Sequence, residues 1–138
     1  MILYIYKFLI NISIIFAPLI IIFRILKNKE DKKRFVEKFT FFSQKRNTGK
    51  LIWFHAVSVG ELLSIIPLIF LLEKNKKISQ ILLTTSTLTS ANLFKKYNFS
   101  KTTHQFFPID ANFFVKRFLE YWKPNLAVFV DSEIWPNM

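Results

Sequence analysis

KLIWFHAVSVGELLSIIPLIFLLEK, residues 50–74, is the stretch on which the fold is decided. Lys50–Val57 is an apolar and aromatic run of the kind that forms a buried strand in a parallel sheet. Ser58 is followed three residues later by Glu61, which opens an apolar run over Glu61–Lys74. That pattern is a capping box at a helix N-terminus, and Pro67 predicts a kink farther along. A buried strand leading directly into a capped helix is the first half of a βαβ unit. The rhythm continues downstream. Gln80–Thr85 reads as a second strand and Thr89–Tyr97 as a second helix, Gln105–Phe107 as a short third strand, Ala111–Trp122 as a third helix, and Leu126–Val130 as a fourth strand. The expected class is α/β, a Rossmann-like half-domain with a parallel sheet.

Upstream the composition changes. Gln44–Gly49 is a polar linker ending in glycine. Glu30–Phe42 has helical character, with Phe35, Phe39 and Phe42 on one stripe. Met1–Phe23 is almost continuous Ile, Leu, Phe and Tyr, interrupted by Lys7, Asn11, Ser13 and Pro18. A bilayer span needs roughly 20 residues, and no small-residue cleavage site follows. Arg24, Lys27, Lys29, Lys32, Lys33 and Arg34 come next and are expected to stay cytoplasmic. Two dispositions are open: a single spanning anchor, in which Lys7 snorkels to the interface, or a monotopic helix in the inner leaflet, which Lys7 and Pro18 support. The division expected is 1–24 as a membrane helix, 25–49 as a basic helical segment and linker, and 50–138 as the α/β part.

With 138 residues, 51% of them hydrophobic and 17% aromatic, the chain is too apolar to be disordered. It has no cysteine, and His55 and His104 are its two histidines, so thiolate chemistry and cysteine metal sites are excluded. Gly49 and Gly60 are the two glycines, which rules out a glycine-rich phosphate loop. The formal charge of +11 favours an anionic partner. Residues 1–49 hold ten Lys/Arg against Glu30, Asp31 and Glu37, a net +7, so the excess lies beside the apolar N-terminus. That distribution points to a membrane surface. No nucleic-acid reader motif is present.

Three motifs follow predicted strands, where an open α/β sheet places its ligand crevice. In HAVSVGE (His55–Glu61), Ser58 and Glu61 cap a helix, and Gly60 would let an anionic group approach the helix N-terminus. TTSTLTS (Thr84–Ser90) combines β-branched strand residues with an N-cap, and its spare hydroxyls, Thr85, Ser86 and Thr87 among them, suit a sugar. DSEIWPN (Asp131–Asn137) places Glu133 and Trp135 after a buried strand with no helix pattern. Asp110, after Phe107-Pro108-Ile109, is expected to cap the third helix. Glu37 suits either a helix salt bridge or a general base at a membrane-facing cleft.

In this order the residues resemble the N-terminal part of the Kdo (3-deoxy-D-manno-octulosonic acid) transferases. The resemblance runs through the apolar N-terminus, KKRFVEKFTFF, HAVSVGE, TTSTLTS, FFPID, the helix bearing Lys116-Arg117-Phe118-Leu119, and SEIWPN. It implies a metal-free glycosyltransferase of the GT-B type at the cytoplasmic face of the inner membrane. Its N-terminal half would bind a lipid A precursor and its C-terminal half the donor CMP-Kdo, with no further cofactor. Glu37 falls on the general base, Glu133 on a second acidic position near the reaction centre, and Ser58, Gly60 and Glu61 on the acceptor-side loop. Val36, Ser90 and Asp131-Ser132 depart from the family pattern of Gly, Gly and Glu-Thr. Residues 50–138 would then be an incomplete acceptor-binding domain without its donor-binding domain, inactive alone, with a separately encoded C-terminal half as a candidate partner. The alternative is a non-catalytic membrane-anchored module that binds anionic lipid.

Overall fold

The computed structural model describes residues 2–131 and 136–137, apart from the side chains of residues 2–5, 7 and 11. The expectations for Lys7, Asn11, Glu133 and Trp135 therefore lie outside the described residues. The elements are α1 (Ile2–Leu26), a 3-10 turn (Phe35–Phe39), β1 (Leu51–Ala56), α2 (Val59–Glu73), β2 (Gln80–Thr85), α3 (Leu88–Phe94), β3 (Thr102–Phe106), α4 (Asn112–Trp122) and β4 (Leu126–Phe129). The four strands form one parallel sheet in the order β3-β2-β1-β4. The chain steps outward from β1 to β3 and then returns to the other side of β1. The switch point therefore lies between β1 and β4, where a doubly wound sheet opens its crevice.

Alternation along β1 distributes two cores. Phe54 and Ala56 face α2 and α3 with Leu62, Ile65, Ile69, Ile81, Leu83 and Phe94, whereas Leu51 and Trp53 face α4 with Leu82, Phe118 and Trp122. Both faces of the sheet are covered, which explains why β1 and β2 read as continuous apolar runs rather than as alternating ones. The two buried indoles are paired: Trp53 Nε1 donates to Thr84 Oγ1 at 2.9 Å, and Trp122 Nε1 to Gln105 Oε1 at 3.0 Å. Gly49 has φ +99°, and a Cβ there would collide with Ser79, so the turn into β1 requires glycine.

Two local expectations change. The segment 30–42 is not a continuous helix but the short 3-10 turn, entered through Asp31, whose Oδ1 accepts from the N–H groups of Lys33 (2.9 Å) and Arg34 (3.0 Å). The turn ends at Thr40 in the left-handed region, φ 60°. The aromatic residues leave the helical stripe to meet α4: Phe39 packs edge-on against Phe114, and Phe42 stacks on Tyr121 at 3.8 Å. Asp110 does not cap α4. The N-cap is Ala111, with no side-chain cap. Asp110 instead accepts from the Tyr6 hydroxyl at 2.6 Å and from Asn137 Nδ2 at 3.3 Å.

α1 forms over the expected stretch, yet among the described residues no helix is long and apolar enough to cross a membrane. It lies along the α/β body. Ile21 is buried, Tyr6 is bonded to Asp110, and Arg24 Nε pairs with Glu30 Oε1 at 2.7 Å. On the opposite side Phe8, Leu9, Ile12, Phe16, Leu19 and Phe23 are more than a third exposed.

Candidate functional site

The loops leaving β1, β2, β3 and β4 meet at one edge of the sheet. At the switch point Val130 N donates to His55 O at 2.9 Å, which holds the start of the DSEIWPN motif beside HAVSVGE. Asp131 lies in the left-handed region at φ 68°.

His55 is buried at this edge. Its ring stacks on Phe107 at 3.8 Å, and Nδ1 lies 2.9 Å from Thr84 Oγ1 and 3.2 Å from Thr84 O. Because that carbonyl can only accept, Nδ1 carries the proton and Nε2 keeps its lone pair. Nε2 has no partner among the described residues. Burial pulls the imidazole down to about 4, so it is a neutral acceptor near pH 7.

The capping box forms as expected. Glu61 N donates to Ser58 Oγ at 3.2 Å, while Glu61 accepts from Ser58 N (3.3 Å), Ser58 Oγ (2.7 Å) and Val57 N (2.8 Å). The Glu61 carboxylate thus closes the β1–α2 loop. Gly60 is different in kind: a Cβ there would meet only Ser58 Oγ, at 3.9 Å, so packing does not require glycine.

The threonine-rich motif divides its hydroxyls. Thr84 is buried against Trp53 and His55, and Thr85 Oγ1 bonds His104 Nε2 at 2.9 Å. Thr87 caps α3, accepting from Ser90 N at 3.2 Å. Thr87 also borders a space of about 490 Å³ with Arg24, Asn28, Lys29, Leu88, Thr89 and Asn92, and Ser86 lines a second cavity, at the rim. This second space, of about 230 Å³, is bounded by Lys38, Ser86, Phe107, Pro108, Ile109 and Asp110.

Glu37 is fully buried, and its carboxylate is saturated. Oε1 accepts from Arg34 Nε (2.7 Å) and from the Ser43 hydroxyl, and Oε2 from Arg34 Nη2 (3.0 Å) and Phe106 N (2.9 Å). These are about the four acceptor positions a carboxylate offers. Arg34 Nη2 also donates to His104 O at 2.7 Å and lies 3.0 Å from His104 Nδ1. Burial, then the Arg34 charge, pulls His104 down to about 3. Glu37 therefore sits at the carboxyl end of β3, turned inward onto the strand.

Lys38 and His104 are the residues a local reading misses. Lys38 Nζ pairs with Glu30 Oε1 at 2.6 Å and reaches Ser86 O at 3.5 Å, joining the 3-10 turn to the β2 loop at the cavity wall. Its neighbour Glu37 was the sequence signal; the partners are 8 and 48 residues distant. Among the described residues no cluster of three His, Asp or Glu could hold a metal ion. The edge can bind a polar group through the Ser86 hydroxyl and the positive charge of Lys38, beside an apolar wall.

Residues 33–138 match the family model described as 3-deoxy-D-manno-octulosonic-acid transferase (kdotransferase). Curated relatives agree. The chain is 39% identical over 125 residues to a probable mitochondrial 3-deoxy-D-manno-octulosonic acid transferase of Arabidopsis thaliana, covering 88% of this chain and 28% of that protein. It is 38% identical over 118 residues to the 3-deoxy-D-manno-octulosonic acid transferase of Rickettsia bellii, covering 86% and 28%. It is 29% identical over 132 residues to that of Haemophilus influenzae, covering 93% and 31%. The chain thus spans less than a third of the length of these relatives. No solved structure matches it significantly. With the family model spanning most of the chain and its motifs gathered at one sheet edge, the chain belongs to the 3-deoxy-D-manno-octulosonic-acid transferase family.

Proposed function

We propose that this chain supplies the acceptor-binding half of a GT-B Kdo transferase, acting on a lipid A precursor at the cytoplasmic face of the inner membrane. The observation that carries the reading is the rim cavity. Lys38, Ser86 and Asp110 line it at the carboxyl edge of the sheet, and Ile109 and Lys38 also border the gap beneath α1. A sugar hydroxyl presented there stays close to its lipid anchor, and positioning of that kind contributes to rate without any covalent step. The donor is CMP-Kdo, held by a nucleotide-binding half, and transfer requires both halves, whether joined or separately encoded.

Glu37 enters as the general base. With all four acceptor positions filled, it takes a proton only after the Ser43 hydroxyl or Arg34 gives way on acceptor binding. Glu133 is proposed as a second acidic group near the reaction centre, by its place in the DSEIWPN motif. Glu37→Gln in a transfer-competent enzyme should lower kcat by about 10²–10⁴-fold with acceptor KM retained. Retained kcat would leave Glu37 as a clamp on β3.

The reading is tested by supplying the purified chain with CMP-Kdo and lipid A precursor, alone and with the remaining part of the Rickettsia bellii relative. The expected result is labelled lipid in the combined reaction. No product there, while the intact relative turns over, overturns it. That outcome together with retained vesicle binding favours the non-catalytic anionic-lipid module, a reading supported by the closed state of Glu37 and the exposed apolar side of α1.

A further inference from the structure

Most residues of α1 are apolar, yet only one narrow stripe of it touches the protein. Ile10, Ile14, Ala17 and Ile21 recur at helical spacing on that stripe and face a gap of about 270 Å³, closed on the other side by Ile109. The lined stretch runs from Ile10 to Arg24, about 21 Å along the helix. The length and the apolar lining of this space suit a slender chain. Left empty, the apolar part of this gap forfeits dispersion contacts along both walls.

One end of the gap is polar. Arg24, Glu30 and Lys38 line it. Glu30 is 3% exposed, and both cations pair with its Oε1 (Arg24 Nε 2.7 Å, Lys38 Nζ 2.6 Å). Its other oxygen, Oε2, is buried and has no partner among the described residues. A buried carboxylate oxygen without a donor is costly, and the atom that satisfies it must bring an N–H or O–H. The two cations and one carboxylate leave a net positive charge, and Lys27 and Lys29 stand exposed just beyond.

We propose that the gap between α1 and the loop bearing Ile109 is an acyl-chain slot for a phosphorylated membrane amphiphile: the chain lies along Ile14, Ala17, Ile21 and Ile109, and an amide N–H or hydroxyl at its polar end donates to Glu30 Oε2. The outer face of α1, carrying Leu9, Phe16, Leu19 and Phe23, rests in the same leaflet, so the lipid enters sideways from the membrane. The proposal deepens the lipid-acceptor reading and rests on it. It also names what Lys38 does: it stands between the slot and the rim cavity, at the junction of lipid and sugar.

The test uses the full chain on phosphatidylcholine vesicles containing an N-acyl ethanolamine phosphate with a diazirine in its acyl chain. No sugar nucleotide is present, so its outcome is independent of whether the protein transfers sugar. Irradiation is expected to label Ile14, Ala17 or Ile109. The O-acyl ester analogue, which lacks the N–H, should label those positions about tenfold less, the worth of one lost hydrogen bond to a charged acceptor. Ala17→Trp, which fills the slot, should abolish slot labelling while vesicle co-sedimentation is kept. Label confined to the outer residues Phe16, Leu19 and Phe23 in the unsubstituted chain overturns the proposal, whatever the variant does. So does equal slot labelling by the amide and the ester.

Discussion

Arg34 and Glu37 act on the outer edge of β3 as a substitute for a neighbouring strand. Arg34 Nη2 donates to His104 O at 2.7 Å, Phe106 N donates to Glu37 Oε2 at 2.9 Å, and the two side chains hold each other through Nε–Oε1 (2.7 Å) and Nη2–Oε2 (3.0 Å). β3 has only β2 as a strand neighbour among the described residues, so its other edge would otherwise offer free backbone groups for unwanted pairing. Glu37→Gln should therefore destabilise the fold by about 2–4 kcal/mol, somewhat below the cost of breaking a fully buried pair because Arg34 is partly exposed. Urea unfolding of the variant measures this, and a change below experimental error would refute the clamp.

Acid should weaken this protein from about pH 6.5 downward. Burial, then Arg34 and Lys95, hold His104 at about 3, and burial holds His55 at about 4, against an ordinary 6.5 for both. Between those values the unfolded chain binds protons that the folded chain refuses. Stability is thus full above about pH 6.5 and declines as pH falls toward 4 for His55 and 3 for His104, by at most about 1.4 kcal/mol per pH unit for each imidazole. The urea midpoint at pH 5 should lie below that at pH 7. His104→Gln should flatten the difference, since a protonated His104 Nδ1 would face the Arg34 guanidinium.

Gly60→Ala separates folding from binding. No atom but Ser58 Oγ lies near the new methyl, and alanine is the better helix former by up to about 1 kcal/mol. Thermal stability should hold or rise. If an anionic headgroup approaches the start of α2, affinity for the lipid A precursor should fall at the same time. Unchanged affinity would remove Gly60 from the acceptor surface.

The two tethers of α1, Tyr6 to Asp110 and Arg24 to Glu30, are about 27 Å apart along its axis. A helix pinned to the α/β body at both ends lies flat if it enters a membrane. Leu9→Trp and Phe23→Trp should therefore be quenched at equal depth by brominated phospholipids. Opposite depths would mean that α1 leaves the body and spans. Tyr6→Phe removes the first tether and should cost about 1 kcal/mol, read as faster amide exchange in the first turns of α1.

The local and the distant differ in what residue order can disclose. Ser58 and Glu61 lie three residues apart, so their capping box is legible wherever the chain is read. The alternation of Phe54 and Trp53 between two cores follows from strand geometry once β1 is recognised. Asp110 looked equally local, as a cap before α4. Its partners prove to be Tyr6 and Asn137, and no rule of spacing reaches across 104 residues. Glu37 is the sharper case. Beside Arg34 and Lys38 it reads as a helix salt bridge or a general base, and its burial depends on Phe106 and Ser43 arriving from other parts of the chain.

Residue order alone was enough for the strand–helix rhythm, the parallel sheet, the motifs at the carboxyl ends of strands and the kinship with Kdo transferases, because periodicity, capping and short motifs are properties of neighbouring residues. Tertiary structure decided that residues 35–39 form a 3-10 turn over β3, that α1 lies beside the α/β body with a gap beneath it, and which residues of the threonine-rich motif line open space. Those outcomes depend on which donors and acceptors remain unpaired after the sheet has assembled, and a buried polar group must find its partner wherever the chain happens to bring one.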